Sequence, residues 1–272
     1  MATLNTVTSS TRPASPAAGE AYFETDTNKI IVWTGSEWTE IHSDTAPSFS
    51  NTYSVEFDGT NDFVSTGLDV GGASALTVSA WVKHDTLGAK PGIATQYAGS
   101  GSSRAFRFAL YSGATGLLVN CYTSGGTTQA AYPSPGVSTG TWYHAAFVFS
   151  GTSLKVYFNG DNTPAGATST FSSTTLNTGG NQVNLGAFDN SSNYLDGNLD
   201  EVGIWTSALS ASDISDIYNS GVPADLTSYS PNGWWRMGDD DSGSGTTITD
   251  QGSGGNDGTL TNGPTFSTDV PS

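Results

Sequence analysis

Apolar residues recur at every second position in short runs along most of the chain, with glycine, asparagine, aspartate and serine between the runs. Leu76, Val78, Ala80 and Val82 show the pattern most plainly. A period of two predicts a strand that turns one face to a core. Tyr53–Phe57, Ala105–Tyr111, Leu117–Tyr122, Trp142–Phe149, Leu154–Phe158, Val183–Phe188, Leu199–Trp205 and Trp234–Met237 read the same way. Many short strands at such spacing predict an all-β sandwich or jelly roll. One segment departs from the pattern. Leu209, Ile214, Ile217 and Tyr218 sit at helical spacing, with Ser210 placed to cap and Asp213 in the first turn. Gly221 suits the left-handed position after a helix, and Pro223 blocks continuation. A helix is expected near 211–219.

The N-terminal fifth follows another plan. Residues 1–20 are polar and punctuated by Pro13, Pro16 and Gly19, which predicts an extended arm and not a packed element. Ala21–Thr25, Lys29–Trp33 and Glu37–Ile41 read as three strands joined by tight turns. The resulting β-meander, residues 21–42, is too small to bury Tyr22, Phe23, Ile31, Trp33 and Trp38 unaided. It is expected to be stable only against the main domain or against copies of itself, as an anchoring module. Residues 43–50 read as a linker, and 51–272 as the main domain.

Composition narrows the function. The chain has 272 residues, 8 Lys and Arg against 25 Asp and Glu, and a formal net charge of −17. The eight cations are scattered, which argues against a nucleic-acid partner. No run of about 18 apolar residues is present, so no membrane insertion is expected. The single cysteine, Cys121, excludes an internal disulfide and a cysteine-based metal site. Its place opposite the polar positions of its strand predicts a buried, inert thiol. Met1–Pro16 lacks the basic and apolar regions of a secretory signal.

Several stretches carry a resemblance. Val55-Glu-Phe-Asp-Gly-Thr-Asn-Asp-Phe-Val64, Leu76–Val82, Gly140–Val148 with Leu154–Gly160, Asn184-Leu-Gly186, Gly197–Trp205 and Ala208–Gly221 follow one another in an order that resembles the laminin-G-like, concanavalin-type jelly roll over roughly 51–225. Arg12–Trp38 resembles a short module frequent in tailed-phage fibre and virion proteins. Gly233–Gly238, Asp250–Gly258 and Gly263–Pro271 are similar to tails found with laminin-G-like domains in marine phage structural proteins. Together these imply a virion structural protein, a tail or head fibre or spike, assembled in the host cytoplasm and released by lysis. Its residues 1–42 would bind other virion proteins and support a homotrimer, and its jelly roll would adsorb to a cell-surface glycan. The alternatives are a capsid decoration protein and a secreted bacterial carbohydrate-binding or adhesion module.

No enzyme is expected. Glycosidases need two carboxylates flanking one bond. Asp200 and Glu201 are adjacent, so in a regular strand they point to opposite faces. His144 lies where the resembled fold uses it structurally. Tyr97, Tyr122 and Tyr132 fall in or beside Gly/Ser/Thr-rich segments read as loops, and are the candidate ligand-binding residues. Arg104 and Arg107 suit either the guarding of a strand edge or an anionic glycan, with no other basic group converging on them. Asp58-Gly-Thr-Asn-Asp62 is a tight, oxygen-rich loop of the kind Ca²⁺ accepts. The resemblance implies structural calcium where this loop meets Asp200, so Asp58, Asp62 and Asp200 are the candidate metal ligands. An Asx turn at Asp58 with Gly59 explains the same residues without a metal. Asp239–Asp241 with Asp250, Asn256 and Asp257 read as a solvated acidic turn, or else as a second cation loop.

Overall fold

The computed structural model describes residues 5–27, 29–43, 49–86, 90–97, 103–111, 116–133, 137–151, 153–161, 165–168, 174–178, 180–189 and 192–272. Most of the expected 43–50 linker therefore lies outside the described residues. The chain divides into two compact units, Met1–Phe49 and Ser50–Ser272.

The first unit is one sheet in the order β1 (Asn5–Val7), β2 (Ala21–Glu24), β3 (Lys29–Trp33), β4 (Trp38–Ser43). The three expected strands are present. The arm is not merely extended, because β1 pairs in parallel with β2, Asn5 opposite Tyr22. Polar contacts hold it there. Ser9 donates its backbone N–H and its hydroxyl to Asp26, at 2.8 and 2.5 Å, and Arg12 pairs with the buried Glu24. Trp38 packs edge-on against Tyr22 and Trp33. Among the described residues of this unit, Ile31 is the one buried apolar side chain.

The second unit begins with β5 (Ser54–Asp58), β6 (Phe63–Ser65), β7 (Ala75–His84), β8 (Gly92–Tyr97), β9 (Arg104–Tyr111), β10 (Gly116–Thr123) and β11 (Gly126–Pro133). There follow β12 (Trp142–Ser150), β13 (Ser153–Phe158), β14 (Ala165–Thr168), β15 (Asn184–Leu185), β16 (Ala187–Asp189), β17 (Ser192–Tyr194) and β18 (Asp196–Trp205). After helix α1 (Ala211–Tyr218) come β19 (Gly233–Trp235), β20 (Thr247–Ile248), β21 (Gly258–Thr261) and β22 (Thr265–Ser267). Two sheets face each other. One runs β11-β10-β9-β8-β15-β6-β21-β20, the other β14-β13-β12-β7-β18-β5-β22 with β19 beside β18. The architecture is the expected all-β, laminin-G-like sandwich.

The period of two explains the core. Phe106, Phe108, Leu117, Val119 and Cys121 point inward from one sheet; Val78, Ala80, Val82, Phe147, Phe149 and Val156 point inward from the other. Phe147 meets Phe106 and Phe108 across the layer, with ring centroids 5.7 and 5.2 Å away. Cys121 is fully buried, and burial pushes its thiol pKa far up. The outer face of the second sheet is covered by α1, whose Ile214 packs on Ala146, Val148 and Tyr157. Ser210 caps α1 in a reciprocal box with Asp213. The helix stops earlier than expected, because Asn219, not Gly221, is the first left-handed residue (φ 47°). Asparagine tolerates that conformation through its short polar side chain.

Candidate functional site

Two strands that the sequence left unread shape the outer face of the first sheet. β8 and β11 flank β9 and β10 on either side. Arg104 and Arg107 therefore sit on an interior strand and not at an edge. The three candidate tyrosines stand on strands as well, not in loops: Tyr97 ends β8, Tyr122 lies in β10 and Tyr132 in β11.

A bulge gathers this face. Arg104 and Arg107 are three residues apart, so a regular strand would send them to opposite sides. Gln96 pairs with Phe106 and Tyr97 with Arg104, which leaves Ala105 as an extra residue. The bulge turns Arg104 over to the side of Arg107. The Arg107 guanidinium carbon lies 3.5 Å from the Tyr97 ring centre, and that of Arg104 lies 4.6 Å from Tyr122 and 5.9 Å from Tyr97. The two tyrosine rings are 6.2 Å apart. Tyr122 is 6% exposed, whereas Tyr97, Arg104 and Arg107 are half-buried. Burial raises the Tyr122 phenol pKa, and the two guanidiniums oppose that rise. Asn120 stands opposite Arg107 in the ladder, and the exposed Thr127 opposite Tyr122. Tyr132 is not brought to this cluster by register, since it pairs with Leu117; its side chain lies outside the described residues.

The acidic rim is built on the β5–β18 pair. Asp58 accepts from Thr60 N–H at 2.8 Å, which is the Asx turn, and Gly59 adopts φ 73°. A Cβ on Gly59 would stand 2.7 Å from that of Asp196. Asp62 is 3% exposed; its Oδ2 accepts from Asp58 N–H at 3.1 Å, while its Oδ1 is buried with no hydrogen-bond partner. Burial raises the Asp62 pKa. Asp58, Asp62, Asp196, Asn262 and Thr265 share a cavity of about 230 Å³, and a second of about 250 Å³ lies between Asp58, Lys90, Asn193, Tyr194 and Asp196. The orphaned oxygen and the oxygen-rich lining suit a hard cation. Asp200 does not join them. Asp196 is the residue opposite Asp58, and Asp200 is four residues further along β18, about 13 Å. Both Asp200 oxygens are engaged, with Asn51 Nδ2 and Glu201 N–H, each at 2.8 Å. No three His, Cys, Asp or Glu side chains among the described residues close into a ligand set.

Asp200 and Glu201 themselves depart from the expected alternation. A bulge between Asp200 and Gly203, with Glu201 at φ 44°, leaves both carboxylates buried side by side. Glu201 accepts from Trp234 Nε1 at 2.6 Å and Arg236 Nε at 3.1 Å. Burial raises Asp200 well above the carboxylate range and Glu201 to about 8. The pair lies in the core and locks the C-terminal segment. The second acidic cluster behaves likewise. Asp239 accepts from Thr52 and Tyr53, Asp250 from Trp234, Gly252 and Asn256, and Asp257 from Asp250. Backbone N–H groups hold these acids, so they form neither a solvated turn nor an open cation loop. His144 is fully buried with Nε2 2.8 Å from Ser79 Oγ, a structural placement as expected.

The family model of the concanavalin A-like lectin/glucanases superfamily, laminin-G type, matches residues 58–215. Among solved structures, a candidate carbohydrate-binding protein from Bacteroides ovatus superposes with a TM-score of 0.62 at 18% identity, over 94% of this chain and 71% of that one. A heptameric SAP-like pentraxin from Limulus polyphemus superposes with a TM-score of 0.51 at 20% identity, over 62% of this chain and 82% of that one. No match was found among curated proteins.

Proposed function

Because the chain belongs to the laminin-G-like family of the concanavalin A-like lectin/glucanases superfamily, we propose that it is a non-enzymatic carbohydrate-binding protein. The observation that carries this reading is the cluster of Tyr97, Tyr122, Arg104 and Arg107, drawn from three adjacent strands onto one outer sheet face. Aromatic rings and a few fixed polar groups are what a sugar needs for orientation. The Bacteroides ovatus protein of the same fold, described in such terms, supports it. The carbohydrate-binding alternative drawn from the sequence is thus better supported than the virion reading. Incubation with insoluble polysaccharides should deplete the protein from solution without releasing reducing ends. Tyr97→Ala with Tyr122→Ala should weaken the depletion about tenfold or more. Release of reducing ends by pure protein would make it an enzyme instead.

Calcium is proposed at the rim, on the orphaned Asp62 Oδ1 with Asp58 beside it and carbonyl or water oxygens completing the shell, in place of the implied Asp200. A bound cation would supply the partner that Asp62 Oδ1 lacks. The melting temperature should rise in millimolar calcium over that in chelator, and Asp62→Asn should abolish the difference. Equal melting temperatures in the wild type would sink the assignment.

The virion reading stands as a second proposal, on the first unit. Its aromatics remain half-buried and only Ile31 is buried among its described apolar residues. A sheet so poor in core is suited to pack on a particle or on copies of itself.

A further inference from the structure

The charge of the ligand can be read from the same face, on the premise that the chain binds carbohydrate there. The protein carries a net charge of −17 and only four arginines, yet two of them share one aromatic pair. A chance surface in so acidic a chain would not concentrate cations. The placement also needs a specific backbone device, since only the extra residue Ala105 turns Arg104 to the side of Arg107. The guanidiniums lie over the rings rather than beside them. Arg107 covers one face of Tyr97 at 3.5 Å, and Arg104 covers Tyr122 at 4.6 Å. A sugar approaching this face therefore meets guanidinium groups and aromatic rings together, with Arg107 also hydrogen-bonded to the Tyr122 hydroxyl. Stacking on the rings holds each planar fork in a fixed orientation. Such forks are matched to an oxyanion with two oxygens to offer.

We propose that this face recognises an anionic carbohydrate, through a carboxylate or sulfate ester received by Arg104 and Arg107. Asn120, opposite Arg107 on β10, lies on the same face. Steering over distance is weak or adverse because the whole chain is negative. The interaction is short-ranged and depends on the two forks, so it is sensitive both to salt and to their geometry.

Affinity electrophoresis of the full chain tests this, in gels containing matched polymers: fully methyl-esterified homogalacturonan against polygalacturonate, and dextran against dextran sulfate. The wild type should be retarded by a charged polymer more than by its neutral counterpart, and less so in 0.5 M salt. The pair that responds tells carboxylate from sulfate. Arg104→Gln and Arg107→Gln should each weaken retardation roughly tenfold. Lys155→Gln, which removes an equal charge from an exposed position on β13, should not. Arg104→Lys keeps the charge and loses the fork, so it should also bind weakly, and melting curves show whether each variant is folded. Retardation by neutral polymers alone, unchanged in the arginine variants, would overturn the anionic assignment and leave carbohydrate binding intact. Charged-polymer binding that survives both glutamine substitutions would overturn it too. Retardation by no polymer in either pair, repeated on a wider glycan panel, would overturn both readings.

Discussion

His144 shows how far burial alone moves a single side chain. Full desolvation, beside Trp81 and Tyr218, lowers its pKa to about 3. The unfolded chain takes up that proton near pH 6.5 and the folded one does not. Stability contributed by neutral His144 is therefore complete above about pH 6.5 and falls as pH drops toward 3. Glu201 acts in the opposite sense. Its folded pKa of about 8 exceeds the ordinary 4.5, so its contribution is complete below 4.5 and is lost as pH rises through 8. Comparison with His144→Gln isolates the first term. From pH 7 to pH 5 the wild type should lose about 1–2 kcal/mol more of its urea-unfolding free energy than the variant does. Parallel losses in the two proteins would contradict the assignment. At this scale the sequence was legible wherever alternation was regular, as at Val78, Ala80 and Phe147. It was not legible at Arg104 and Glu201, because a bulge inverts the face of every residue beyond it and leaves no mark in the apolar pattern.

Elements rich in large apolar residues were read within a residue or two, as for β7 and β12. β11 was hidden because Gly126-Thr-Thr-Gln-Ala-Ala carries the composition of a loop, although its backbone pairs with β10 along its whole length. β1 was hidden for a related reason: its three residues are held by pairing with β2, and the residues after it, Ser9 and Arg12, by Asp26 and Glu24, not by a core. Conversely, backbone demands at element ends are sharp. Gly197 opens β18 at φ 141°, and a Cβ there would stand 2.1 Å from the Lys83 carbonyl oxygen. Gly197→Ala should lower stability by about 2–4 kcal/mol, since the clash is with backbone and cannot be relieved by a rotamer change. At the α1 cap, Ser210→Ala should cost about 1 kcal/mol. Calorimetry on the two variants would check both values; a harmless Gly197→Ala would show that the β7–β18 contact is looser than the structure has it.

For the whole molecule, the division at Phe49 separates a unit that owns the core from one that has almost none. Residues 50–272 should melt cooperatively within about 2 °C of the full chain, since both hydrophobic clusters lie inside them. Residues 1–49 alone should lack cooperative melting unless they associate. The overall architecture was legible because repeated alternation is a property of the whole pattern and survives local errors. The site was only partly legible, because its members come together through register, which no single segment encodes. Tyr97 and Tyr122 were identified and do meet; Tyr132 is paired elsewhere, and Asp196 rather than Asp200 faces Asp58.

Carbohydrate binding through that register-built face is the central claim, and a glycan microarray probed with the full chain and with the Tyr97→Ala, Tyr122→Ala double variant tests it most directly. The account expects a discrete set of glycans to retain the wild type and to lose at least most of that signal with the folded variant. An array on which the wild type binds nothing, or on which the variant binds the same glycans undiminished, would contradict it.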